Sequence, residues 1–356
     1  MLKADIGDAF IIEVKEGEEY FTMVVDGGPK ATQRTVVEEI AQLEHIDLMI
    51  LTHYDSDHIR GILHFFAKYP EKAKQVEKYW VNCPHIRVRN NGQVSPNEMY
   101  SLKNLFMDLE TEENQLNWRD EVLQGVPYDS PNGLVHIEVI TPTAEARTLN
   151  EQYYDEHVVK NRKVSAEFSD RVKADYDTPL DVLAKRKITP GEQVVNNSSI
   201  SFLMTINSEP QRKILMLGDV KSGDVYQYLT ELREGEKFSN EHKLKVDAVK
   251  VPHHGSRYNL TSELLDIIEC DQYLISTCGG PETKEGKVPT YNHPDRMTIA
   301  KILLHDERNK EQRITLHFNY TLEDMEKKGA LILHPEELKD ASLNFTITEE
   351  RPEICL

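Results

Sequence analysis

The sequence predicts an α/β fold, and three features carry that prediction. Strand-like and helix-like stretches alternate through roughly the first 82 residues, the pattern of layered α/β proteins. A continuous apolar run of strand length, "IDLMILTH", is followed at once by the polar tip "YDSDHIRG". Acidic and histidine residues then recur at the C-terminal ends of predicted strands: Asp26 after "MVV", His53 after "LMIL", Asp219 after "ILML" and His253 after "AVKV". In such folds the strand ends and the loops beyond them are where ligand sites assemble.

Taken in order, residues 2–14 and 20–26 predict two strands joined by the turn "KEGEE", the second ending on "VVDGGP". "TQRTVVEEIAQLE" has apolar positions at helical spacing, and "IDLMILTH" is the next strand. "GILHFFAKYP" predicts a helix stopped by Pro70, and "QVEKYWVN" another strand. From about residue 84 to 190 the chain turns polar, with helical stretches around 96–124 and 150–187 and one strand, "LVHIEVITP". Its segments "HVVKNRKVSAEFSDRVKAD" and "LAKRK" concentrate local positive charge. This insertion reads either as a solvated helical elaboration or as a substrate-facing lid. Strands return at "SSISFLMTI", "KILMLGDV", "VDAVKVPHHGS", "QYLISTCG", "RITLHF" and "GALILH". The expectation is one domain over 1–356, with the insertion at about 84–190 and a strand-rich extension at about 311–356.

Composition sets bounds on function. The 356 residues suffice to bury a core, and the formal charge of −19 argues against coating nucleic acid through bulk electrostatics. The sequence has no apolar run of about 18 residues, so no membrane helix is expected. "MLKADIGDAFIIEV" alternates apolar and charged positions without the h-region of a signal peptide. Cys83, Cys270, Cys278 and Cys355 are scattered with no CxxC pair, which points to reduced thiols and a cytoplasmic location.

The tip "LTHYDSDHIRG" carries the chemistry. Asp55 and Asp57 repel each other, and four polar side chains so close need water or a cation. In H-x-D-x-D-H, alternate residues leaving a strand can point inward while the last His opens a helical turn. His53 and Asp55 can then address one cation, Asp57 and His58 a neighbour, and Asp219 can bridge both. Two divalent cations roughly 3.5–4 Å apart are the usual arrangement for hydrolysing phosphate esters.

The set "IGDAFIIEV", "VVDGGP", "LTHYDSDHIRGI", "NNSSISFLM", "ILMLGDV", "VKVPHHGS" and "YNHP" resembles the metallo-β-lactamase superfamily, and within it the hydrolase domain of ComEC-type DNA-uptake proteins and their stand-alone relatives. The resemblance implies a four-layer αββα sandwich with a dinuclear site on one edge. Carried over by position, it makes His53, Asp55, Asp57, His58, Asp219 and His253 metal ligands. Asp26 orients the site, and His254 is either a ligand or faces the phosphoryl group. His293 lies near substrate. Asp57, His254 and His293 are thus the candidates for direct catalytic roles. The superfamily's commoner motif has His at the position of Asp55, and many members carry a further His where this chain has "NNSS". Asn196, Asn197 and Ser199 are the polar candidates there. Oxygen in place of imidazole leans towards manganese or magnesium, with zinc still compatible.

Ser256 after "HHG" has no G-x-S-x-G elbow and reads as a cap or phosphate contact, while Gly27-Gly28 reads as a turn passing close to the site. His45, His64, His85, His136, His242, His305 and His317 match no motif. The expected function is phosphodiester hydrolysis of DNA or another nucleotide-containing substrate by a metal-activated hydroxide. Hydrolysis of a small ester, lactone or phosphorylcholine-like group is the alternative, as is a component of a bacterial defence system that depends on a protein partner.

Overall fold

The computed structural model describes residues 1–82, 98–110, 115–156, 175–188, 193–280, 293–350 and 353–356. Among them the strands form two main sheets. The first has the order β1-β2-β3-β4-β5, from Phe10–Glu16, Glu19–Val25, Leu48–Leu51, Tyr79–Val81 and Trp118–Arg119. β1 and β2 make an antiparallel hairpin, and the other pairings are parallel.

The second sheet uses β6 (Pro127–Asp129), β7 (Val135–Thr141), β8 (Ser201–Ile206), β9 (Arg212–Met216), β11 (Ala248–Lys250), β13 (Gln272–Ile275), β14 (Ile314–Phe318) and β15 (Phe345–Glu349). Their order is β15-β14-β13-β11-β9-β8-β7-β6, antiparallel from β6 to β9 and parallel beyond. β10 (Leu244–Lys245) and β12 (Ile268–Glu269) form a separate short parallel pair.

Strand periodicity explains the layers. In β3, Leu48 and Ile50 face a core shared with Phe202, Met204, Ile214 and Met216 of the second sheet, while Met49 and Leu51 face the outer helices. In β9 and the turn after it, Leu215 and Leu217 turn the other way, onto the helices of the second sheet. The first outer layer comprises α1 (Gln33–Gln42), α2 (Ser56–Lys68), the short α3 (Pro70–Ala73) and α4 (Glu98–Leu109). α5 (Ala144–Tyr154), α6 (Leu180–Ala184) and α7 (Val194–Asn197) come from the middle of the chain. Beyond them run α8 (Ser222–Gln227), α9 (Ser262–Ile267), α10 (Arg296–Leu304) and α11 (Leu322–Lys327), which cover the second sheet together with α6. The result is the αββα sandwich.

Three local expectations change. Residues 2–9 do not extend β1. Gly7 N donates to Ala4 O and Asp8 N to Asp57 O, bending the stretch onto the polar tip. The helix expected over 96–124 stops at Leu109, and Trp118–Arg119 joins the first sheet instead. The helix expected to stop at Pro70 does so, α2 ending at Lys68, and Pro70 in turn opens α3, because the first helical turn needs no amide donor there. "GALILH" is not a strand: Ala330, Ile332 and Leu333 are buried, but Ile332 O accepts from Arg296 Nη1, a side chain. The basic run over 157–174, His85, Cys83 and the first two residues of "YNHP" lie outside the described residues. Among the described residues, no helix is long and apolar enough to cross a membrane.

Candidate metal centre

The polar tip is shaped by where β3 ends and α2 begins. Asp55 occupies the N-cap of α2 in extended conformation, yet its carboxylate caps nothing. It stands instead with Oδ2 3.6 Å from His53 Nε2. A residue type that normally satisfies helix amides is thus released to the site. Asp57 and His58 follow in the first turn of α2. That turn sits directly against the "DGG" turn: Gly27 N donates to His58 O, and a Cβ on Gly61 would lie 1.9 Å from Gly27 O. The two glycines allow this approach, and Asp26 takes a left-handed φ of 60° on the way in.

The second sheet supplies the other half. β9 leads through Leu217 and Gly218 to Asp219, and β11 leads to His253-His254-Gly255. His253 and His254 both adopt left-handed backbone, with φ of 47° and 52°. Such conformations cost on the order of 1–3 kcal/mol each for non-glycine residues. Here they let two neighbouring side chains, which would diverge from a regular strand, face one carboxylate. Asp219 Oδ2 lies 3.4 Å from His58 Nε2, 3.5 Å from His254 Nε2, 3.8 Å from His253 Nε2 and 3.9 Å from His53 Nε2. Asp57 Oδ2 is 3.4 Å from His254 Nε2 and 4.0 Å from His58 Nε2.

The same nitrogen of each imidazole faces inward because the other is spoken for. His58 Nδ1 donates to Asp26 Oδ2 at 2.8 Å. Thr52 spends its hydroxyl proton on Asp26 and can accept from His53 Nδ1 at 3.1 Å. His254 Nδ1 donates to Ser276 O at 3.0 Å. Asn259 gives its amide to Asp219 O, so its Oδ1 accepts from His253 Nδ1 at 3.0 Å. In all four rings the acceptor on Nδ1 fixes the tautomer that leaves an Nε2 lone pair for the centre.

Charge follows from burial and crowding. Burial pushes the Asp219 carboxyl up, but His254, His58 and His253 outweigh it and hold the group well below the carboxylate range. Burial opposes a charged His254 ring, yet Asp219 and Asp8 raise it to about 10. His58 is likewise raised well above its ordinary value, its burial outweighed by Asp219, Asp26 and Asp57. His253 is dominated by burial and falls to about 4. Without a cation the carboxylates therefore draw protons onto Nε2 of His58 and His254, the positions a metal would compete for.

Of the residues singled out from the sequence, His53, Asp55, Asp57, His58, Asp219, His253 and His254 come together, and both histidines of "HHGS" face Asp219 Oδ2. Asp26 orients two rings. Ser199 Oγ is 3.1 Å from His53 Nδ1 and accepts from Asp219 N. Asn196, not Asn197, reaches the centre, with Nδ2 3.2 Å from His253 Nδ1. Ser256 is buried in the turn after "HHG", where Oγ accepts from Tyr258 N. The His293 ring lies 5.3 Å from that of His253, with Nδ1 3.4 Å from Asp295 Oδ2.

Five contributors were not assigned from the sequence: Thr52, Asn259, Ser276, Asp8 and Lys250. Asp8, with His58, Asp219 and His254, forms a buried group whose ligand atoms lie within 4.8 Å of one another. Its place in "IGDAF" gave a signal, since an acid before an apolar strand lies among the quoted motifs. Lys250 also had one, as a charge inside the apolar run "AVKV".

The donor set fits divalent cations. His53 Nε2, His58 Nε2 and His254 Nε2 are buried and make no hydrogen bond. Buried polar atoms normally have partners, and inward lone pairs beside several carboxylates are what a cation satisfies. Imidazole nitrogen with carboxylate oxygen, and no sulfur, suits zinc or manganese.

The sequence profile of the family described as "Metallo-beta-lactamase superfamily" matches residues 2–136. No curated protein matches the chain. Among solved structures, a Cronobacter sakazakii metallo-beta-lactamase with a HARLDQ motif aligns at 10% identity and TM-score 0.26, covering 58% of this chain and 55% of its own. The metallo-beta-lactamase fold protein YhfI from Bacillus subtilis aligns at 10% identity and TM-score 0.36, covering 96% and 88%. BJP-1, a subclass B3 metallo-beta-lactamase of Bradyrhizobium japonicum, aligns at 12% identity and TM-score 0.29, covering 82% and 83%. The chain thus spans little more than half the length of the first of these, and nothing about the site follows from such remote likenesses. The first sheet and the H-x-D-x-D-H tip thus lie within residues 2–136, the part of the chain that is similar to the metallo-beta-lactamase superfamily.

Proposed function

We propose that the chain is a metal-dependent phosphodiesterase, acting on DNA or another nucleotide-containing substrate. The observation that carries the reading is the convergence of four Nε2 atoms on one oxygen of Asp219, within 3.4–3.9 Å. His53, Asp55, Asp57, His58, His253 and His254 would hold two divalent cations, with Asp219 shared between them. When bound, such a pair supplies Lewis-acid charge and lowers the pKa of a coordinated water towards about 7. The chain's own part is orientation: Asp26, Thr52, Asn259 and Ser276 keep each ring in the tautomer that can ligate. His293, whose Nδ1 lies 3.4 Å from Asp295 Oδ2, would hand a proton to a leaving oxygen. The ComEC-like run of motifs, "VKVPHHGS" above all, supports a nucleotide-containing substrate.

The test is metal-dependent cleavage of single- and double-stranded DNA, RNA and a chromogenic phosphodiester, with His53→Ala and Asp57→Ala as controls. Loss in both variants is expected, and equal activity in variants and wild type removes the proposal. The formal charge of −19 favours a second reading, in which the same centre hydrolyses a small ester or lactone. Binding of a polyanion that falls steeply with salt decides for nucleic acid.

A further inference from the structure

Lys250 is the last residue of β11, and alternation places it on the inner face of its sheet. Ala248 faces the inter-sheet core and Val249 the outer helices, so Lys250 carries an ammonium inward with 1% of its side chain exposed. A lone buried charge is costly, and a buried ion pair is seldom more stable than apolar residues of equal volume. Stability therefore does not account for the lysine, whereas its contacts do. Nζ pairs with Asp8 Oδ2, donates to Gly218 O at 2.8 Å, and lies 3.6 Å from Asp219 Oδ1. Asp219 is thus divided: Oδ1 faces the ammonium and Oδ2 the four imidazoles. Asp8, its Oδ2 held by Lys250, turns Oδ1 to His254 Nδ1 at 3.3 Å, on the ring nitrogen away from Asp57.

We infer that Lys250 is a positioning residue of the metal centre, which holds Asp219 by Oδ1 so that Oδ2 alone is presented to the cations. Asp8 carries the lysine's charge and is not itself a ligand. The inference rests on the metal-centre reading, and not on which ester is cleaved.

The test is zinc affinity of the full-length chain, measured by competition with a chromogenic chelator, together with zinc content by elemental analysis. The variants are Asp8→Asn, Lys250→Met and the double variant, whose buried charges are removed together so that it keeps its fold. The double variant is expected to hold zinc about 10–100-fold more weakly than wild type, the usual effect of removing an outer partner of a ligand. Asp8→Asn alone is expected to be weaker still, because an unpaired ammonium beside Asp219 competes with the cation. A merely structural pair would couple in stability but leave zinc affinity unmoved. A double variant within about twofold of wild type, or strictly additive effects, overturns the inference. Wild type that takes up no zinc or manganese overturns the metal-centre reading, and this one with it.

Discussion

Asp26→Asn removes one charge and changes almost no volume, yet it strikes the residue on which two imidazoles depend. The carboxylate is 1% exposed and accepts three hydrogen bonds: from Thr52 N at 2.8 Å, Thr52 Oγ1 at 2.7 Å and His58 Nδ1 at 2.8 Å. Oδ2 takes two of these donors, so the amide oxygen of asparagine is best placed there. Its NH2 then meets Thr52 N–H, donor against donor. A buried donor left without a partner costs about 1–3 kcal/mol, and the two remaining bonds lose the extra strength of a charged acceptor. The total is about 3–5 kcal/mol, comparable to breaking a buried ion pair. At about 2.1 cal/mol/K of unfolding entropy per residue, a chain of 356 residues shifts by about 1.3 °C per kcal/mol, so Tm falls by roughly 4–7 °C. Zinc affinity falls about 10–100-fold, since the bonds that hold His58 and, through Thr52, His53 now end on a neutral acceptor. Calorimetry of the chelator-treated protein reads the first effect, and chelator competition the second. A variant within about 1 kcal/mol of wild type, with unchanged zinc affinity, would show that Asp26 does not organise the centre.

Three further perturbations have defined outcomes. Gly61→Ala drives a Cβ to 1.9 Å from Gly27 O, backbone against backbone, so α2 must move off the "DGG" turn. The expected loss is about 3 kcal/mol or more in chemical denaturation, and an unchanged midpoint would contradict the close approach. Arg257→Met strands the carboxylate of Asp295 and removes one of the two arginines on Asp175, which keeps Arg186. A loss of about 3–5 kcal/mol at pH 7 is expected, shrinking in acid. Burial pushes the Asp295 carboxyl up, but His293 and Arg257 hold it at about 2, so its contribution is present above its ordinary pKa and fades as pH falls through 2. The metal-stripped protein should lose stability as pH rises. His254, raised to about 10, contributes fully below its unfolded pKa of about 6.5 and loses that contribution up to pH 10. His253, lowered to about 4, works the other way between 4 and 6.5. Denaturant midpoints across pH 5–10, with and without zinc, check this. Zinc should flatten the alkaline fall, and a flat profile without metal would contradict the charge assignment.

Much of the frame was legible because it rests on strong periodic signals. "IDLMILTH", "SSISFLMTI" and "KILMLGDV" are apolar runs of strand length, and all three became strands of the two sheets. The seven inward ligand candidates were legible for another reason: four strand tips repeated the same rare residue types. Long-range geometry was not legible. Residues 2–9 alternate like a strand, but packing Gly7 against Asp57 outweighs that local pattern, since a Cβ there would lie 1.8 Å from Asp57 O. Ala330, Ile332 and Leu333 look like strand residues because they are buried, not because they pair. The orienting residues hid for the same reason. Thr52, Asn259 and Ser276 are ordinary in sequence and gain their role from which nitrogen they face. Lys250 was visible as a charge in an apolar run, but only its inter-sheet position explains it.

The divalent-cation content of the purified full-length chain, compared with Asp219→Ala, bears on all of this at once. Elemental analysis after manganese or zinc loading and buffer exchange should find about two equivalents per wild-type chain. Asp219→Ala, folded by circular dichroism, should retain well under half of that. A wild-type chain that holds none, or an Asp219→Ala variant that holds the full complement, would mean that the converging imidazoles serve something other than metal.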